Sequence, residues 1–371
     1  MRRRGPRPLL MHLMGQAHLL GQTPSPPSNP GSSSLNGSLP PLPAGVDPLL
    51  LAGIAAYRRH SWERTTPDPP AIWAERDTRL LDFGGTDGGC PPVLFVPSLV
   101  NRAYVLDLLP ERSAMRALAA EGFRPLLLDW GWPGPVERAF TLTDYIAGRL
   151  ERAILSVGAP VVLAGYCMGG LLALAAGLRR PDLVRALALL ATPWDFHAGD
   201  EAGARRLGAS LPLFEPAMHM TGTLPVDGLQ ALFASLDPAG IVAKYRAFAA
   251  APDGPGARDF VALEDWLNDG VPLAAPVARE TLGGWYGANT PARGEWRVAG
   301  AIVDPAALRL PAWVAVPARD RIVPPASALP LAARIPGAAL HRPPAGHIGM
   351  AAGPRARLAL WEPLVGWLRG L

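Results

Sequence analysis

Lysine is almost missing from this 371-residue chain. Lys244 is the single one, and the remaining basic side chains are arginines scattered along the sequence. The formal charge of +4 therefore has no focus beyond the run Arg2-Arg3-Arg4. Without a basic patch interleaved with aromatics, nucleic acid is excluded as an expected partner. Cysteine is nearly absent as well, with Cys90 and Cys167 alone. A disulfide-stapled scaffold or a cysteine-built zinc site needs more of them. Such sparing use fits a reducing cytoplasm, where a lone thiol stays available for chemistry. Neither a phosphate-binding glycine loop nor a His/Asp/Glu cluster with metal-ligand spacing can be found, so no cofactor and no metal are expected. Charged residues make up only 18% against 49% hydrophobic. That is a globular balance rather than a disordered one, in a chain long enough for a sizeable core.

Long apolar runs are also lacking where a membrane or a secretory route would need them. Leu9 to Met14 resembles the start of a signal sequence, but Pro8, His12, Gly15, Gln16 and His18 interrupt it and leave no continuous apolar region. Residues 153–178 carry no charge and have the length of a membrane span. Their middle, Gly165 to Gly170, reads instead as a tight turn between a buried strand and a buried helix. No transmembrane segment is expected.

What is present falls into two parts. Residues 1–44 form a Pro-, Ser-, Gly- and Asn-rich tail that cannot bury enough apolar surface to offset its ordering entropy. Asp47-Pro48 has the character of an N-cap and first helical position, opening a helix to about Trp62. From residue 72 onward, apolar strands alternate with helices, the pattern of a mostly parallel sheet. Strands are predicted at 93–96, 125–129, 161–164, 184–191, 313–316 and 339–341. Helices are predicted at 111–121, 141–157, 168–178 and 354–368. Between about 195 and 300 the alternation stops, and amphipathic pieces without a clear strand suggest a helical lid inserted into a domain spanning 45–371.

The strongest chemical signal is Gly165-x-Cys167-x-Gly169-Gly170, directly after one predicted strand and opening the next helix. Small residues flank a nucleophile elbow because strand and helix crowd the strained turn. That turn lifts the side chain above the sheet, and the helix N-terminus favours a thiolate. The pattern points to an α/β-hydrolase-type fold. In that fold an acid and then a histidine follow late strands. Asp320, after the strand at 313–316, and His347, after the last strand, occupy those places. By themselves they read as a turn aspartate and a loop histidine; the order Cys167, Asp320, His347 makes them a candidate triad. Competing residues are less well placed: Asp304 precedes its strand, His341 lies within one, and His197 and His219 sit in or beside the lid. Two backbone N–H groups would complete an oxyanion hole, one from Met168 and one from the segment Pro97-Ser98-Leu99-Val100-Asn101.

Six segments resemble the catalytic subunits of poly(3-hydroxyalkanoate) synthases, most closely the short, two-component class III type. They are Leu99-Val100-Asn101-Arg102-x-Tyr104, Asp129-Trp130-Gly131-Trp132-Pro133, Thr141 to Ile146, the Cys167 turn, Thr192-Pro193-x-Asp195-Phe196 and Gly346-His347-Ile348-Gly349. The resemblance covers roughly residues 90–370 in the same order. It implies cytoplasmic polymerisation of 3-hydroxyacyl-CoA at a polyester granule surface. Cys167 would carry the acyl chain as a thioester, and His347 would deprotonate the thiol. Asp320 would support His347 or help activate the incoming 3-hydroxyl, with Val100 and Met168 as oxyanion donors. A homo-oligomer and a second, non-catalytic subunit are implied as partners. Two features depart from the family: Arg321 stands where a histidine usually follows the aspartate, and the proline-rich tail has no clear counterpart. A thioesterase or other acyltransferase of the same fold is one alternative function, and a granule-associated protein without catalysis is another.

Overall fold

The computed structural model describes residues 3, 5–9, 47–84 and 91–371. Its central sheet has eight strands: β1 (Ala71–Glu75), β2 (Thr78–Asp82), β3 (Val93–Val96), β4 (Pro125–Asp129), β5 (Val161–Tyr166), β6 (Val184–Leu190), β7 (Ala312–Ala315) and β8 (Ala339–His341). Their spatial order is β1-β2-β4-β3-β5-β6-β7-β8. Strand β2 runs antiparallel to β1 and β4, whereas β4, β3, β5, β6, β7 and β8 pair in parallel. Val161, Val162, Leu163 and Ala164 of β5 are fully buried, as befits a central parallel strand covered on both faces. Burying each of the larger ones is worth about 1.5–3 kcal/mol. After β3 the chain moves to one side for β4 and then to the other for β5. The crevice at such a reversal, beyond the carboxyl ends of the strands, is where open α/β sheets bind ligands.

The helix Met168–Arg179 lies against β5 and is buried from Met168 through Gly177. Elsewhere the expected helices are shorter or less regular. The segment expected at 111–121 is helical only over Ala114–Ala120, because Arg112–Ser113 pairs with Asp107–Leu109 and Ser113 caps the helix. The segment expected at 141–157 opens with Thr141 bonded through its N–H and hydroxyl to Asp144. It then winds as a wide π-helical stretch over Asp144–Leu150 before Glu151–Leu155.

The described residues divide into two compact units, one combining Met1–Glu63 with Gln230–Asn268, the other holding Arg64–Leu229 and Asp269–Leu371. The sequence reading, by contrast, takes 45–371 as one domain with a lid at about 195–300. Helix Pro48–Arg59, capped by Asp47, has an apolar stripe of Leu50, Ile54 and Tyr57 that must be covered. Tyr245, Phe248 and Val261 cover it, and the helix axes approach so closely that a Cβ on Gly53 would lie 1.9 Å from the Tyr245 carbonyl oxygen. The Tyr57 and Tyr245 hydroxyls donate to Asp265 and Glu264, each at 2.8 Å. Within the second unit Thr223–Leu224 pairs with Leu273–Ala274, one of two short ladders in a region expected to have no strand. The other joins Arg297–Val298 to Ala301–Ile302. Most of the expected tail lies outside the described residues. Arg3 near its start donates to Asp265 at 2.7 Å within the first unit. Among the described residues no helix is long and apolar enough to cross a membrane; residues 153–178 form parts of three elements instead.

Candidate active site

Strand β5 ends at Tyr166, and helix Met168–Arg179 begins one residue later. Cys167 makes the whole turn, with φ 57° and ψ −128°, a conformation that costs a non-glycine residue about 1–3 kcal/mol. Its N–H donates to Leu190 O at 2.8 Å, and its carbonyl accepts from Gly170 N–H at 2.9 Å. The surrounding glycines are required by contact. A Cβ on Gly165 would lie 2.4 Å from Gly170 Cα, one on Gly169 2.0 Å from Val96 O, and one on Gly170 1.8 Å from Thr192 Oγ1. The neighbours in the first two cases are backbone atoms that cannot step aside. Cys167 remains partly accessible.

The loops after β7 and β8 bring the other two residues to this turn. Ala318 and Arg319 donate their N–H groups to Pro343 O and Ala345 O, so the two loops continue the pairing of the strands below them. Asp320 is buried; its Oδ1 accepts from the N–H groups of Ile322 and Val323, both at 2.8 Å. Its Oδ2 lies 2.6 Å from Nδ1 of His347. With Nδ1 held by the carboxylate, Nε2 is the nitrogen left to face Cys167. Tyr166 supports the histidine from beneath: its hydroxyl donates to His347 O at 3.2 Å, and the two rings lie 5.1 Å apart.

The electrostatics follow from this packing. Burial opposes charge on the His347 ring, but the negative charge on Cys167, the bond to Asp320 and the bond to Cys167 outweigh it and raise the pKa to about 10. Burial also pushes the Tyr166 phenol well above its ordinary value, helped by the charges of Cys167 and Asp320. It therefore stays a neutral donor. A histidine pKa raised above the ordinary value of about 6.5 stabilises the fold fully below that value, and the contribution disappears as pH rises through 10. Stability should accordingly fall across that alkaline window. In Cys167→Ala, which removes the facing negative charge, the fall should move to lower pH in denaturant titrations. An unchanged profile would disprove the coupling.

The loop after β3 passes directly over the elbow, since Val96 O and Pro97 abut Gly169. Trp130 Nε1 donates to Pro97 O at 3.0 Å, and Arg102 reaches Asp129 at 3.3 Å, so the first two resembling segments brace each other. Met168, as the first helical residue, has no intrahelical acceptor for its N–H. The Val100 N–H, the second expected oxyanion donor, donates to Ser98 Oγ at 3.2 Å. The Ser98 side chain folds back two residues to do this, a local turn habit of serine that competes for backbone donors.

The residues set aside are used structurally. Asp304 caps the turn Pro305–Ala307, and His341 reaches Ala359 O at 2.7 Å while stacking on Trp313. His197 Nε2 lies 2.8 Å from Tyr286 O, and His219 is exposed on helix Leu211–Thr221. Arg321 is exposed beside the buried Asp320. Two residues that the sequence did not single out contact the segment Asp195-Phe196. Tyr286 has its phenol pKa raised by burial and by the charge of Cys167, and Asn289 is buried against Asp195. The motif containing Asp195 marked one end of that contact; nothing local marks the other.

Comparison with known proteins accords with this fold. Residues 91–212 match the family described as alpha/beta hydrolase fold. The chain is 30% identical over 287 residues to the poly(3-hydroxyalkanoate) polymerase subunit PhaC of Haloferax mediterranei, covering 74% of this chain and 58% of that protein. It is 30% identical to the subunit of the same name from Synechocystis, covering 75% of this chain and 77% of the relative. For that of Allochromatium vinosum the identity is 30%, with 80% and 87% covered. With the elbow, the eight-stranded order and these relatives in agreement, the chain belongs to the poly(3-hydroxyalkanoate) polymerase PhaC family.

Proposed function

We propose that the protein is an acyltransferase that polymerises 3-hydroxyacyl-CoA through a thioester on Cys167. The observation that carries this reading is a cysteine, not a serine, at the elbow, facing a histidine whose other nitrogen is held by a buried carboxylate. A thiolate exchanges readily with a thioester because attacking and leaving sulfurs have comparable pKa values. His347 holds the proton of the Cys167 thiol at Nε2, and the thiolate sulfur adds to the thioester carbonyl. The resulting oxyanion is stabilised by the N–H of Met168 and that of Val100, which exchanges Ser98 Oγ for it. Collapse breaks the bond to the CoA sulfur, and His347 returns the proton to it. In the second half, the 3-hydroxyl of another unit gives its proton to His347 and attacks the Cys167 thioester. An ester bond forms and the cysteine is released. Asp320 holds the imidazole in the tautomer and orientation both halves need.

The PhaC relatives support an acyl-CoA substrate, a polyester product and an assembly that includes a second subunit or further copies of this chain. Localisation at a polyester granule in the cytoplasm belongs to the same proposal. The test is incubation with 3-hydroxybutyryl-CoA, alone and with a candidate second subunit, while CoA release and polymer are both measured. Release together with polymer is the expected result. Release without polymer in both conditions would replace the reading by a thioesterase of the same fold. No release, together with an unreactive Cys167, would leave a non-catalytic granule protein.

A further inference from the structure

The segment leaving β6 starts in contact with the elbow. Leu190 O accepts the Cys167 N–H, and Thr192 packs on Gly170. Four residues on, Phe196 meets Tyr286 edge-to-face at 4.9 Å and Trp285 at 5.6 Å. These last two belong to the π-helical stretch Glu280–Gly287. Such widened turns recur at functional sites, and this one places the Tyr286 phenol within reach of the charge on Cys167.

A reciprocal pair of hydrogen bonds joins the two segments. Asn289 Nδ2 donates to Asp195 Oδ1 at 2.8 Å, and Phe196 N–H donates to Asn289 Oδ1 at 3.0 Å. Both amide atoms are thus used on adjacent residues of one loop. Asp195 Oδ1 also receives the N–H groups of His197 at 3.0 Å and Ala198 at 3.1 Å, which fixes the loop's own turn. The His197 ring closes the circuit onto Tyr286 O. Asn289 is buried and sits at φ 56°, a left-handed conformation that asparagine tolerates better than most residues.

We propose that Asn289 is a positioning residue whose amide clasps the loop carrying Phe196 to the helical turn carrying Tyr286, and that the aromatic wall so held limits the size of the acyl group that reaches Cys167. The proposal rests on Cys167 being the acyl carrier, but its test does not depend on polymerisation.

In a Cys90→Ser background, where Cys167 is the one thiol, alkylation by iodoacetamide is compared with alkylation by a bulky N-substituted maleimide. The parent protein should discriminate against the bulky reagent. Asn289→Ala should raise the bulky-to-small rate ratio about tenfold, with the small-reagent rate changed no more than about twofold. Tyr286→Ala, which removes the wall and leaves the clasp, should raise the ratio as much. Asn289→Asp, which keeps an acceptor for the Phe196 N–H but sets a carboxylate oxygen against Asp195 Oδ1, should raise the ratio at least as much as Asn289→Ala. The same variants should shift kcat/KM in favour of 3-hydroxyhexanoyl-CoA over 3-hydroxybutyryl-CoA, through KM more than kcat. An unchanged ratio in folded Asn289→Ala or Tyr286→Ala would overturn the proposal. So would equal loss of both rates, or an Asn289→Asp variant that keeps the parent discrimination while folding normally. If the alkylation ratios shift as expected while neither CoA ester is turned over, the clasp stands and the acyltransferase reading falls.

Discussion

Replacing His347 by alanine is expected to slow acyl-CoA turnover by about 10³- to 10⁴-fold, the range seen when a nucleophile loses its base. In the proposed mechanism this residue has two tasks, taking the proton of Cys167 and returning it to the leaving thiol. Alkylation of Cys167 at pH 7 should fall less, by about 30-fold. An ordinary thiol of pKa about 8.5 is still about 3% thiolate at that pH, and alkylation needs no proton returned. The two magnitudes together separate activation of the sulfur from acid catalysis. Asp320→Asn keeps the size of the side chain but presents an amide to His347 Nδ1, where the carboxylate now accepts at 2.6 Å. Its loss of turnover should approach that of His347→Ala, because the imidazole can then settle in the wrong tautomer. Stopped-flow alkylation in a Cys90→Ser background and a CoA-release assay would measure both. An unchanged alkylation rate in folded His347→Ala would mean that the histidine does not activate the thiol.

The second large effect is on stability. Gly169→Ala is expected to destabilise the protein by about 3 kcal/mol or more, the upper end of overpacking penalties. The added methyl would start 2.0 Å from Val96 O, and that oxygen belongs to the central strand β3. Relief requires the helix Met168–Arg179 to move away from the sheet, which also displaces the Met168 N–H from Cys167. Gly366→Ala provides the control: its Cβ would meet nothing within 4 Å. Inside helix Glu362–Leu368 it should stabilise by about 0.4–1 kcal/mol by restricting the unfolded chain. Urea titrations of the two variants would test the contrast. A neutral Gly169→Ala would show that the close approach at the elbow is not required.

The same contact explains why the elbow could be read directly from the chain. Flanking glycines, an apolar strand before and an apolar helix after are all consequences of one crowded turn, and all lie within about twenty residues. The sheet was legible for a related reason. A strand buried on both faces must be an unbroken apolar run, as Val161 to Ala164 is, and the chain order of the runs with intervening helices implies parallel pairing. The positions of Asp320 and His347 after late strands followed from that order.

Other features were invisible because they depend on partners remote in sequence. The region 195–300 looked uniform, yet its middle joins Pro48–Arg59, since only three-dimensional packing tells which apolar stripe covers which. Val100 N–H was free to be an oxyanion donor in the sequence, whereas the folded loop turns Ser98 Oγ onto it. Asn289 lies 94 residues beyond Asp195, in a stretch with no periodicity to mark it.

By itself, then, the amino-acid sequence determined the strand–turn–helix around Cys167, the sheet that supports it and the order of the residues that could serve it. These depend on sterics and burial that act over a few residues or along one strand. The tertiary structure alone decided which loop carbonyls, amides and rings close around the thiol, because the sheet brings distant segments together by an approach that no local pattern encodes.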